Sequence, residues 1–218
     1  MKTDSIETFR EKDPAVRGCA HGCSMARRGF LVAAGAGLWL SGMHTNTVYA
    51  ASREGDFRPY DTNSHFALDE DGAALIKRAY DLGYKIHSDH GGCCRCTVAA
   101  LQDGLEMVPK DEGLFRAATC LDGGAAPGRK QNCGCFTGAG IVIGYICGGE
   151  NFGSTSLAHK LIQQVARKFQ KTYGSVLCQD AVKSGDCHEI VGRTAQWTAE
   201  ALLTQFCGYM PATEQSKK

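Results

Sequence analysis

Residues 133–147 read Cys-Gly-Cys-Phe-Thr-Gly-Ala-Gly-Ile-Val-Ile-Gly-Tyr-Ile-Cys, apolar throughout, and their conformation decides the fold class. The β-branched run Ile141-Val142-Ile143 favours a strand. Against it, Gly138, Gly140 and Gly144 lack side chains at a spacing that reads as a buried helix packed closely against its neighbours. Helix is the expectation, and the flanking segments agree with it.

Upstream, Ala74, Leu75, Ala79, Tyr80 and Leu82 fall at helical spacing from Ala73, with Gly83 a suitable stop. Val98, Leu101 and Leu105 predict a second helix over 92–107, and Leu114–Leu121 a shorter piece that breaks in the loop Gly-Gly-Ala-Ala-Pro-Gly-Arg-Lys-Gln-Asn of 123–132. Downstream, Leu157, Leu161, Val165, Phe169 and Tyr173 line one side of a helix over 156–173 that ends at Gly174. Val191, Ala195, Leu202 and Phe206 predict the last helix, over 187–206. The reading is one all-α, cysteine-rich domain over 72–207, a compact bundle of five or six helices. A polar, turn-rich lead-in over 51–71 precedes it, and a flexible tail over 208–218 follows.

The first fifty residues stand apart. Arg27-Arg28-Gly29-Phe30-Leu31 opens a short apolar stretch to Leu40, and Val48-Tyr49-Ala50 supplies small residues at the usual cleavage positions, so residues 1–50 read as a twin-arginine-type signal. The apolar run is shorter than the roughly 20 residues that span a bilayer, so no stable membrane span is expected once the signal is removed. That route carries folded passengers and places the protein in the periplasm or otherwise outside the cytoplasm. Cys19, His21 and Cys23 fall within this segment, and no site is assigned to them.

Taking the six Lys/Arg and four Asp/Glu of residues 1–50 from totals of 24 and 23 leaves 18 basic and 19 acidic residues, a nearly neutral mature chain. No basic stripe alternates with aromatics, which argues against nucleic-acid binding; Lys160, Arg167, Lys168 and Lys171 read as the solvated face of a helix. No Ser-His-Asp order, phosphate-binding loop or paired carboxylates point to a hydrolase or nucleotide enzyme.

Cysteine is the unusual residue: ten of the 12 lie beyond residue 50. Covalent c-type haem is not expected, because the only Cys-His pair, Cys187-His188, has Ser184 where the motif needs a cysteine. Zinc bound by close cysteine pairs stays open, with Cys93-Cys94-Arg95-Cys96 and Cys133-Gly134-Cys135 as the pairs. A domain of this size does not require disulfide staples. An iron-sulfur cluster needs thiolates converging from separate elements, with a dry pocket and backbone N–H groups near the sulfurs, and the helix start Gly-Gly-Cys-Cys-Arg-Cys at 91–96 together with the glycine-rich loop of 123–132 supplies the last two. Unpaired N–H groups there would stabilise a thiolate, and Cys93 and Cys96, three apart, would share a face. Cys120, Cys147 and Cys207 read as small apolar residues. His87, His90 and His188 are second-rank candidates to complete a ligand set or tune a thiol.

The order Cys96-Thr-Val-Ala-Ala-Leu, a Gly-Gly loop, Asn-Cys133-Gly-Cys-Phe-Thr-Gly138-Ala, Ser-Val-Leu-Cys178 and Gly-Asp-Cys187-His-Glu-Ile-Val resembles the C-GCAxxG-C-C family of redox-active proteins over roughly residues 72–206. The resemblance also favours helix over strand for residues 133–147. It implies a metal or redox set of Cys96, Cys133, Cys178 and Cys187, with glycines at 123, 124, 134 and 138 shaping the cofactor pocket. Cys135 stands where a small residue is usual, and Cys93 and Cys94 are additional, so these three and His188 are further candidates. The Gly-Gly-Cys-Cys start is also similar to split-Soret cytochromes, without their haem motif. The expectation is an exported redox-active protein that binds an iron-sulfur cluster and transfers electrons to a redox partner protein, with a homodimer compatible. The alternatives are a cofactor-free thiol-disulfide protein and a structural zinc module.

Overall fold

The computed structural model describes residues 57–125, 128–149 and 155–211. Residues 1–50, read above as a signal and containing Cys19 and Cys23, the start of the lead-in and most of the tail lie outside them. Among the described residues the fold is all-α: α1 (Gly72–His90), α2 (Cys93–Gly104), α3 (Glu112–Ala117), α4 (Gly134–Cys147), α5 (Ser156–Tyr173), α6 (Cys178–Ser184) and α7 (Cys187–Cys207). Five are long, and α3 and α6 are short. Residues 133–147 are therefore helical apart from their first residue, which caps α4. Among the described residues no helix is long and apolar enough to cross a membrane.

The central element is α7, which packs against α1, α2, α4 and α5. Burial on several sides explains its composition. Ile190, Val191, Ala195, Ala199, Leu202, Leu203 and Phe206 are buried beside Thr194 and Thr198, whose hydroxyls donate to the carbonyls of Ile190 and Thr194 at 2.7 Å, so no polar atom is left unpaired. Helix α5 follows the simpler amphipathic rule: Leu157, Leu161, Val165, Phe169 and Tyr173 face inward, and Gly174 ends it at φ 78°.

Helix α1 corrects one expectation. It runs through Gly83 and ends at Gly91, whose N–H bonds the His87 carbonyl. Gly83 is a contact point: a Cβ there would lie 3.1 Å from the Gly192 Cα and 3.2 Å from the Val191 carbonyl, so the missing side chain lets α1 and α7 cross closely. The stop falls at Gly91 and Gly92, where φ of 66° and 83° turns the chain within two residues into α2.

The lead-in carries no helix over 57–71, yet it is tied to the bundle. The Phe57 ring stacks on Tyr145 at 5.1 Å, Tyr60 and Phe66 meet at 4.7 Å, and the Phe66 N–H donates to the Phe206 carbonyl at 2.8 Å. The core forms two buried groups. The larger joins α1, α2, α4, α5 and α7; the smaller surrounds Cys96, Cys133, Cys135 and Cys178 with Phe169, Tyr173, Ala181, Ile190 and Val191.

Candidate functional site

Four cysteines stand at the starts of four helices. Cys93, Cys178 and Cys187 are the first residues of α2, α6 and α7, and Cys133 caps α4. Two of these starts are held side by side by a short antiparallel bridge between Asn132 and Leu177. Within it the Cys133 N–H donates to the Val176 carbonyl at 2.8 Å and the Cys178 N–H to the Gln131 carbonyl at 2.9 Å. Gly124 and Gly134 permit the approach. A Cβ at Gly124 would sit 2.6 Å from the Cys178 Cβ, and one at Gly134 would collide with the Cys93 sulfur.

The result is a cavity of about 540 Å3 lined by Cys93, Cys120, Cys133, Cys135, Cys178 and Cys187, with Val182, Ile190 and Val191 as apolar wall and His87, Asp122, Gly123 and Arg129 also facing it. Cys133 is the hub. Its sulfur lies 3.3 Å from that of Cys135 and also interacts with the Cys93 and Cys178 thiols. The Gly123 N–H donates to the Cys93 sulfur at 3.4 Å. Cys133, Cys135 and Cys178 are buried, Cys93 and Cys187 half-buried and Cys120 exposed.

Every described free thiol with a resolved shift is held protonated. The Cys93 thiol is pushed up by its hydrogen bond with Cys133 and by burial, and Cys133 by its bond with Cys135. Burial raises Cys178 and Cys187, each further raised by Cys93. Burial followed by the Asp122 carboxylate lifts Cys94 to about 12 and Cys96 to about 11. The expectation that the start of α2 stabilises thiolate is thereby corrected. Asp122 caps that helix from outside, accepting from the N–H groups of Cys94 at 2.6 Å and Arg95 at 3.3 Å and from the Arg95 guanidinium at 3.1 Å. The N–H groups assigned to sulfur are taken by a carboxylate, whose charge opposes ionisation of the thiols around it.

Cys96 does not line the cavity; its sulfur donates to the Gly91 carbonyl at 2.9 Å, and it is 2 % exposed. Cys94 is buried in the larger core. His188 is one residue from Cys187 and meets His87, a cavity residue, with the two Nδ1 atoms 2.8 Å apart. Burial and then His188 lower the His87 pKa. Gly123 lines the cavity, and Gly138 serves α2–α4 packing instead, since a Cβ there would lie 2.7 Å from the Cys94 carbonyl. Asp122 was invisible in sequence, because its partners Cys94 and Arg95 lie 28 and 27 residues away.

The donor set is sulfur from four chain segments, the soft ligation that suits iron-sulfur clusters and zinc. Among the described residues no group of three or more His, Cys, Asp or Glu side chains is arranged to hold a metal ion. The thiols surround one space, with Cys133 hydrogen-bonded to Cys135, so a thiolate-bound group fits their chemistry on loss of protons.

A family model described as "Putative redox-active protein (C_GCAxxG_C_C)" matches residues 92–201, half of the chain, and the protein belongs to that family. No curated protein and no solved structure matches it. The class that fold and family define together is a cysteine-rich, all-α, redox-active protein.

Proposed function

We propose that this is an exported electron-transfer protein whose cavity holds an iron-sulfur cluster on the thiolates of Cys93, Cys133, Cys178 and Cys187. The observation that carries the reading is the convergence of these four sulfurs, from four helix starts, on one cavity with an apolar wall. A bound cluster would supply one-electron chemistry. The chain's part is to hold the sulfurs and set their charge. The Gly123 N–H would offset charge on the Cys93 sulfur, and Val182, Ile190 and Val191 keep water from the inner face. The Arg129 guanidinium favours the ionised forms of Cys178 and Cys187. Cys93 replaces Cys96 in the set on the ground of sulfur placement. Export rests on the Arg27-Arg28 segment and implies a periplasmic redox partner protein.

The test is anaerobic expression of the full chain, followed by a visible spectrum and assays of iron, zinc and acid-labile sulfide on one sample. Brown protein with iron and sulfide is expected. Cys93→Ser and Cys178→Ser should lose iron, whereas Cys96→Ala should retain it. Zinc without sulfide would replace the reading with a structural metal module. Colourless, metal-free protein that also resists cluster reconstitution would sink it, and leave the 3.3 Å Cys133–Cys135 dithiol as the redox centre.

A further inference from the structure

The proposed ligand set leaves two cavity sulfurs unused, exposed Cys120 and, nearest the hub, Cys135. Cys135 lines the cavity, is fully buried, and its sulfur is 3.3 Å from that of Cys133. Cys133 is also the sulfur that interacts with both Cys93 and Cys178, so removing it from the thiol pool disables the set at its centre. We propose that Cys133 and Cys135 form a reversible disulfide that locks the site against metal, so that a low-molecular-weight disulfide such as oxidised glutathione controls whether the protein can be loaded.

The inference rests on the reading above in taking Cys133 as a ligand. A disulfide requires the sulfurs to close from 3.3 Å to about 2.05 Å. The step balances by exchange. One thiol, as thiolate, attacks the small disulfide and expels one small thiol. The neighbouring sulfur then attacks the mixed disulfide and expels the second. Cys133 and Cys135 together lose two protons and two electrons, the S–S bond of the oxidant breaks, and a new one joins the two residues. The cavity gives the oxidant its path, since half-buried Cys93 and Cys187 and exposed Cys120 share it with the buried pair. A small thiol in excess reverses the step.

The test uses the full chain, reduced and metal-free, incubated with oxidised glutathione, then denatured and alkylated with N-ethylmaleimide. Trypsin cutting after Lys130 and Lys160 releases a peptide with three cysteines, Cys133, Cys135 and Cys147. The lock predicts that after oxidation this peptide carries one maleimide, on Cys147, and is otherwise two hydrogens lighter. Before alkylation, Cd2+ added without reductant reads the thiol set by its thiolate absorbance. That absorbance should be lost in the oxidised wild type, restored by reduced glutathione, and unaffected by the oxidant in Cys135→Ala. Three maleimides on the oxidised peptide, or cadmium binding that survives the disulfide, would overturn the proposal, as would equal loss in Cys135→Ala. The wild-type peptide map needs no variant to fold. It also needs no iron, so a disulfide found there counts for the inference even where the cluster assay fails.

Discussion

Replacing Asp122 with alanine tests the link between the loop and the cysteine-bearing helix. The carboxylate is 21 % exposed, accepts two backbone N–H groups at the start of α2 and holds the Arg95 guanidinium. Losing an N-cap of this kind costs about 1 kcal/mol and up to about 2. Hydrogen bonds to a charged acceptor lie toward the upper end. The ion pair adds less than about 1 kcal/mol, because Arg95 is 36 % exposed. The loss on Asp122→Ala is therefore about 2–3 kcal/mol, roughly a 5–10 °C drop in Tm for a chain of this size. Asn caps a helix about as well as Asp, so Asp122→Asn should lose about 1 kcal/mol or less. The assay is urea unfolding of the reduced, metal-free protein, followed by far-ultraviolet circular dichroism. A loss below about 0.5 kcal/mol for Asp122→Ala would refute the cap as a stabilising contact. Equal losses for the two variants would refute the division between cap and charge.

Gly138→Ala should destabilise by about 1–3 kcal/mol, because its Cβ meets the Cys94 carbonyl, a backbone atom that cannot rotate away. Gly144→Ala, with no neighbour within 4 Å, should stabilise by about 0.5–1 kcal/mol through helix propensity, and the same urea titration reads both. Cys96 and Cys147 are pushed up to about 11, largely by burial, against about 8.5 in an unfolded chain. Folded thiols thus keep protons that unfolded ones release, so their contribution to stability is complete below about pH 8.5 and is lost as pH rises toward 11. The urea midpoint of reduced protein should fall over that window, and a flat profile would contradict the burial of these thiols. In native, reduced protein, N-ethylmaleimide should modify exposed Cys120 first and buried Cys94, Cys96 and Cys147 last; peptide mapping that finds Cys96 as fast as Cys120 would contradict its placement.

Periodicity carried the fold where a helix has two distinct faces. Helix α5 begins and ends where its apolar stripe and Gly174 place it, and α4 is helical where its spaced glycines outweigh its β-branched residues. The same signal misplaced the end of α1, because a glycine inside a helix reads as a stop until its neighbour is known. Helix α6 has seven residues and no stripe long enough to register, yet its first residue is Cys178.

Sequence alone determined that the chain is helical, that its cysteines cluster near predicted helix starts, and which family it resembles, because these are properties of neighbours along the chain. Only the tertiary structure decided which sulfurs share a cavity. Cys93 and Cys96 are three residues apart on one helix, and the family resemblance pointed to Cys96 with Cys93 as an additional candidate. The choice between them falls to the rotation of α2 against α4, where Gly134 admits the Cys93 sulfur while that of Cys96 turns back to the Gly91 carbonyl. The pairing of Cys133 with Cys178 through the 132–177 bridge, and the capping of α2 by Asp122, join residues that only packing brings together. Thiol ionisation follows the same rule, because it depends on burial and on charges that meet across the fold.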